Sequence, residues 1–225
     1  MPSPTFTDRQ KKYWDKKKHS KRKSPDSPVI RSYVQPKIDL IINKIDLPDD
    51  SKVLDVGAGN GYFSYWFDKR WDTTAIDYSE VILENNPVEK KMVMDARNLE
   101  FPDNSFDLVF CHAVLHHIDK PDRIKVINEM RRVSKKYVVM IEPNCFNPLM
   151  YAFGLLKKEE RGLLDFSISY SAQLIHDGGL RVIESASWGA LTPNRMPLTR
   201  LLLPIFAKFE RKLLFGVNNI VIAEK

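Results

Sequence analysis

Val53-Leu54-Asp55-Val56-Gly57-Ala58-Gly59-Asn60-Gly61 is the stretch that decides the fold. Four residues of buried-strand character run straight into three glycines within five positions, in a chain of 225 residues that holds only nine. The apolar run Tyr62 to Phe67 follows. A strand, a glycine turn and a helix in that order are the setting of a nucleotide-binding loop. Glycine is needed there because the turn is tight and the backbone must come close to a ligand. The spacing is G-x-G-x-G. A dinucleotide fingerprint would need glycine at position 62, where Tyr62 stands, and no Lys-Ser or Lys-Thr pair follows to make a triphosphate loop.

Outward from this loop the pattern stays regular. Residues 38–45 have helical spacing and end before Pro48, and 73–77 reads as a second strand. Ser79 is placed to cap a helix over 80–85. Third, fourth and fifth strands are expected at 91–95, 106–111 and 137–141, with a helix over 122–133 between the last two. The final third reads as mostly helical over 148–177 up to Gly178-Gly179, then a strand over 180–185. A leucine- and phenylalanine-rich helical segment over 197–215 and a last strand over 219–224 complete the chain. Strands alternating with helices at this rhythm predict an α/β fold: a mostly parallel, Rossmann-like sheet with helices on both faces.

Two further acids fall in telling places. Asp77 ends the second strand, 20 residues after Gly57, where a carboxylate can accept both hydroxyls of a ribose. Asp95 ends the third and precedes Ala96, a place suited to an adenine amino group. With Asp55, these put three acids at the carboxyl ends of successive strands, the edge at which such sheets bind ligands.

The combination resembles the class I S-adenosylmethionine-dependent methyltransferases, in their small-molecule branch of quinone and sterol enzymes. The resemblance spans roughly residues 37–225 and rests on VLDVGAGNGYF, TTAIDYS, DARNLEFPDNSFDLVFCHAVLHHI and EMRRVSKKYVVMIEPN. It implies a seven-stranded sheet with its last strand antiparallel, and S-adenosylmethionine as cofactor, leaving S-adenosylhomocysteine. By the same resemblance Gly57, Ala58, Gly59 and Gly61 hold the methionine end above Asp55. Asp77 and Tyr78 take the ribose, Asp95 and Ala96 the adenine, and Cys111 and His112 complete the methionine site.

Three of five histidines lie in His112-Ala113-Val114-Leu115-His116-His117. No companion cluster of Cys, His or carboxylate is evident beside them, so no metal is expected. They read either as packing or as a source of a base, with His112 nearest the strand end. Glu142, beside Pro143 and Asn144, is the second candidate for binding or deprotonating a methyl acceptor; a loop acid is the plainer reading. Methyl transfer from a sulfonium needs mainly alignment, and a base only where the nucleophile must lose a proton. Segments at about 146–177 and 190–217 are where the family covers its substrate. The apolar side chains of the second exceed what one packed face needs, so core packing, a lipophilic acceptor and contact with a membrane surface all stand open.

Charge is unevenly spread. The chain carries +6, but residues 1–36 hold ten basic residues and three acids, so that arm has +7 and the remainder −1. The pI of 9.2 therefore belongs to the arm. It is expected to be loose or to fold back as a lid, since Phe6, Tyr13 and Trp14 are poor residues to leave in water. The methyltransferase domain proper is expected from residue 37. A near-neutral domain argues against specific nucleic-acid binding. A nucleic-acid methyltransferase using the arm, or a silent cofactor-binding protein, remain the alternatives. Two cysteines, no 18-residue apolar run and no signal peptide point to a reducing, cytoplasmic setting and no membrane span.

Overall fold

A computed structural model describes residues 6–16, 22–190, 192 and 199–225. The side chains of Phe6, Thr199 and Arg200 lie outside that description. Seven strands form one sheet: β1 Lys52–Val56, β2 Asp72–Asp77, β3 Lys91–Val93, β4 Phe106–His112, β5 Ser134–Pro143, β6 Arg181–Trp188 and β7 Asn218–Glu224. Their order is β3-β2-β1-β4-β5-β7-β6. β1 to β5 run parallel, and β7 lies antiparallel between β5 and β6, so the expected sheet is the one found.

Period-two burial splits the strands between two cores. Leu54, Val56, Val109, Cys111, Val138 and Met140 meet helices α5 (Arg123–Val133) and α7 (Ile168–Asp177) on one face. Val53, Leu108, Phe110, Val139 and Ile141 meet α2 (Pro28–Lys44) and α3 (Ser64–Phe67) on the other. The same alternation sends His112 and Cys111, neighbours in sequence, to opposite faces.

The expected boundary at residue 36/37 is corrected. α2 begins at Pro28 and carries Pro36 in its interior. An interior proline costs about 3 kcal/mol, since it has no N–H for the preceding turn. Val29, Ile30, Tyr33 and Val34 are all buried ahead of it, and at about 1.5–3 kcal/mol each they outweigh that cost. Ahead of them lies a separate helix, α1 (Phe6–Lys16). The region expected to be helical over 148–177 breaks into α6 (Pro148–Leu156), a 3₁₀ stretch Lys158–Asp165, and α7. The helix expected over 197–215 is the shorter α8 (Thr199–Ala207); residues 193–198 of its lead-in lie outside the described residues. Helix α4 (Glu80–Leu83) starts after Ser79, but the Ser79 hydroxyl makes no cap; it donates to Asp15 of α1 instead.

Candidate active site

Between β1 and β4 the strand order changes direction, and a crevice opens there beyond the carboxyl ends of the strands. It holds a cavity of about 570 Å³, within the range of small-molecule sites. Nine predicted cofactor residues line it: Asp55, Gly57, Ala58, Gly59, Asp77 and Tyr78 with Asp95, Ala96 and His112. Gly61, Cys111 and Glu142 do not.

The loop has the geometry its glycines allow. Gly57 sits at φ +68°, and a Cβ there would come within 2.3 Å of Val114 Cγ2. Gly61 sits at φ +80°, where a Cβ would strike Asn86 Oδ1 at 2.6 Å. Gly61 is thus a packing glycine, not a lining one. Asp77 accepts from the Gly59 amide (3.0 Å) and the Ser79 amide (2.9 Å), so one carboxylate ties the loop to the end of β2. Burial lifts its pKa to about 6 despite those bonds. Asp55, fully enclosed, accepts from the Ser64 hydroxyl at 2.5 Å and is raised to about 7, again chiefly by burial.

Two polar atoms on this wall suit a polar guest. Asn60 Oδ1 and the Tyr78 hydroxyl are buried, line the cavity and have no hydrogen-bond partner among the described residues. Orphaned groups of this kind are rare unless something binds them. Asp95 lies two residues past the end of β3, not on it, and its two oxygens hold the Arg97 guanidinium. Burial opposes its ionisation, but Arg97 keeps its pKa low.

On the opposite wall His112 Nε2 lies 2.8 Å from the Tyr33 hydroxyl, which donates to Asn218 Oδ1 at 2.9 Å. The single hydroxyl proton is spent on Asn218, so the imidazole Nε2 carries the proton in its own bond and Nδ1 is the acceptor nitrogen. Burial, helped by the Lys37 ammonium, pushes the His112 pKa down to about 3. The ring is neutral. Lys37 is completely buried, donates to the Tyr33 carbonyl (2.8 Å) and to Glu210 (2.7 Å), and stands 3.5 Å from the Tyr33 ring centroid. A paired charge beneath Tyr33 fixes its ring under the histidine. Tyr33 was missed because it falls in the stretch read as arm; its spacing with Ile30, Lys37 and Ile41 was the available signal.

Glu142, the second candidate for binding or deprotonating an acceptor, does not line the cavity. It is fully buried, and Oε1 accepts from the Val114 and Leu115 amides at 2.8 and 2.7 Å. Oε2 meets His116 Nδ1 at 2.6 Å. On the ring's far side Nε2 lies 3.5 Å from Glu160. Burial opposes charging His116, but Glu142 and Glu160 raise its pKa to about 9. Arg123, also buried, holds the carbonyls of Leu115 and Ile118 from below. The loop after β4 therefore stands on buried ions, and Ala113 takes it through φ +58°, a left-handed residue at the cavity wall. His116, His117 and Glu160 have donor atoms within 4.8 Å of one another. The absence of a companion carboxylate was the ground for setting a metal aside, and the fold removes that ground by bringing in Glu160 from 44 residues away. A proton on His116 already joins the two carboxylates.

Helix α1 lies against the crevice. Thr7 bonds Asp119 through both its amide and its hydroxyl, Gln10 reaches the Glu159 carbonyl, and Trp14 sits edge-on to His117 with ring centroids 5.2 Å apart. Met150 and Phe153 of α6 line the cavity from the other side.

A family model for a methyltransferase domain matches residues 54–141. An uncharacterised protein of Methanocaldococcus jannaschii is 36% identical over 108 residues, which cover 46% of this chain and 46% of that one. A phosphatidylethanolamine N-methyltransferase of Cereibacter sphaeroides is 35% identical over 150 residues, covering 59% of this chain and 71% of that one. The chain thus spans just under half the length of the first of these relatives. A crystal structure of an S-adenosylmethionine-dependent methyltransferase from Archaeoglobus fulgidus superposes with TM-score 0.64 at 16% identity, over 84% of this chain and 91% of that one. With this sheet, this glycine loop and these relatives, the chain belongs to the class I S-adenosylmethionine-dependent methyltransferases.

Proposed function

We propose that this chain transfers a methyl group from S-adenosylmethionine to a small, lipophilic molecule. The observation that carries the reading is one cavity with two unlike walls. The first offers hydrogen bonds: Asp77 and the unpartnered Asn60 and Tyr78 atoms, beside the glycine loop. The second is aromatic and aliphatic, with Tyr33, Phe63, Met150, Phe153 and Val217 around a neutral histidine.

The residues of the first wall fit the cofactor. Gly57 and Gly59 let a chain pass close to the backbone, Asp77 offers a carboxylate to paired hydroxyls, and Ala96 with Asp95 borders the space for a flat base. When bound, the cofactor supplies an electrophilic methyl on a sulfonium. His112, Tyr33 and Asn218 stand as a line of hydrogen bonds that fixes the imidazole. Because burial keeps that imidazole neutral, its free nitrogen can accept a hydrogen bond and orient an acceptor's N–H or O–H. A pKa near 3 makes it a weak base for full proton removal. The apolar wall excludes water and aligns an acceptor that has little polar surface. The phosphatidylethanolamine enzyme among the relatives supports a lipid-like acceptor.

The test is titration calorimetry with S-adenosylhomocysteine, then transfer of labelled methyl from S-adenosylmethionine to separate pools of extracted lipids, water-soluble metabolites and RNA. Cofactor binding with label in the lipid pool supports the reading. No binding, or label confined to RNA, overturns it.

A further inference from the structure

The largest apolar side chains left in solvent fall together on one side of the crevice. On α8, Leu201 and Ile205 are exposed, and Phe209 just beyond continues their four-residue step; the three form one stripe. On α6, Leu149, Leu155 and Leu156 are exposed, the last at 81%. Leu214 and Phe215, which follow α8 in the chain, are exposed too, Leu214 at 82%, and the Phe215 carbonyl accepts from the Asn147 side chain at the start of α6. The stripes are thereby tied into one rim. A patch of this size on a soluble face marks an interaction site.

Its charge says which kind. Between 146 and 158, and again between 201 and 217, the exposed charged side chains are basic, Lys157, Lys158, Lys208, Arg211 and Lys212, although Lys212 pairs with Glu184 and the half-buried Glu159 follows Lys158. The one acid in these stretches, Glu210, is buried on Lys37. Leucine and phenylalanine flanked mainly by lysine and arginine match a surface of acyl chains beneath anionic head groups. A protein partner would more commonly meet a patch with charges of both signs. Position agrees. α6 exposes Leu155 and Leu156 to solvent while its Met150 and Phe153 line the cavity, so one helix borders both the patch and the acceptor wall.

We propose that the α6–α8 rim docks this protein on the surface of a bilayer containing anionic lipid. It sits on the interface without crossing it: among the described residues no helix is long and apolar enough to span a membrane. Docking would bring the acceptor wall to a lipophilic molecule that has little reason to leave the bilayer. This extends the lipophilic-acceptor reading, but vesicle binding is measured without cofactor or turnover, so each can fail alone.

The experiment is co-sedimentation of the full chain with vesicles of phosphatidylcholine, and of phosphatidylcholine mixed with phosphatidylglycerol. Binding to the mixed vesicles is expected, weakened roughly tenfold or more on neutral vesicles or in high salt. Leu156→Glu with Leu214→Glu should abolish it while circular dichroism stays unchanged, since neither side chain is packed. Lys158→Glu with Lys208→Glu, a charge change alone, should remove the preference for anionic vesicles. No sedimentation with either vesicle, or sedimentation that both double variants retain, overturns the proposal. So does a dimer in solution that Leu156→Glu with Leu214→Glu breaks, because a second copy would then be the occupant.

Discussion

The Tyr33 hydroxyl lies 2.8 Å from His112 Nε2, joining residues 79 positions apart on α2 and at the end of β4. Neither side chain would hold this place alone. Tyr33 is fixed by Asn218 at its tip and by Lys37 at its ring, and His112 by Phe63 and Phe110 packed on its own face of the sheet. The bond selects which imidazole nitrogen carries the proton, and it leaves the other to accept.

If that nitrogen orients the acceptor by taking a hydrogen bond from it, His112→Asn should lower kcat by roughly 10–10²-fold. Tyr33→Phe, which frees the ring to choose its tautomer, should cost less. Affinity for S-adenosylhomocysteine should hardly change in Tyr33→Phe, whereas any loss in His112→Asn reports the methionine-site contact expected of that residue. With the His112 pKa near 3, kcat in the native protein should show no acidic limb from this residue between pH 5 and 8. A split in which KM rises while kcat is preserved would make His112 a residue that only binds the acceptor, and unchanged kcat and KM with a lower melting point would make it a packing residue.

Asp77 yields a pH test of the cofactor wall. Its pKa of about 6 lies above the ordinary 3.8, so the empty protein binds a proton there near pH 5. Ribose hydroxyls donate to the ionised carboxylate, so ligand affinity should rise with pH through about 6, and binding near pH 6 should release a proton. Calorimetry in buffers of different ionisation enthalpy reads both effects. Asp77→Asn should flatten the profile, and Asp77→Ala should weaken binding at pH 8 by roughly 2–4 kcal/mol. A pH-independent affinity in the native protein would remove Asp77 from the ribose.

His116 gives a stability test with the opposite sign. Its folded pKa, about 9, is above the unfolded 6.5. The stabilisation is therefore complete below about pH 6.5 and is lost as pH rises through 9, on the order of 3 kcal/mol in all. Thermal melting should fall from pH 6.5 to 9.5, and His116→Gln should melt lower at pH 6.5 with a flatter profile. The difference between the two curves isolates His116 from every other titrating group.

The sheet and the glycine wall were legible because their signals are local. A strand, three glycines and an acid 20 residues on sit within one βαβ unit, and period two or 3.6 marks each element. Of the opposite wall only His112 was. Glu142 looked available from its place at the end of β5, and only the fold shows two amides and His116 occupying it. Glu160 reaches the same histidine from a 3₁₀ stretch with no periodicity to announce it. Tyr33 was hidden by a composition argument: ten basic residues in the first 36 suggested a tail, although the apolar face of α2 had already begun at Val29.

The last test concerns α1. Beyond its bonds to Asp119 and the Glu159 carbonyl, this helix sends Asp15 to the Ser79 hydroxyl at 2.6 Å, and Ser79 gives its amide to Asp77. Trp14 lies against His117, and Tyr13, Trp14 and Arg22 all line the cavity. The helix thus touches the cofactor wall and the loop after β4 together. It does so with few buried apolar groups: among its described side chains only Thr7 and Gln10 are buried. A segment held mainly by polar contacts opens at low cost, as a lid must. Deleting residues 1–24 spares Pro25, whose carbonyl accepts from Trp66, and leaves α2 whole. The truncated protein should melt within a few degrees of the full chain. It should bind S-adenosylhomocysteine more weakly or turn over more slowly, and in the full chain that ligand should slow hydrogen exchange over residues 6–16. Equal affinity, equal turnover and unchanged exchange would show that α1 rests on the site without closing it.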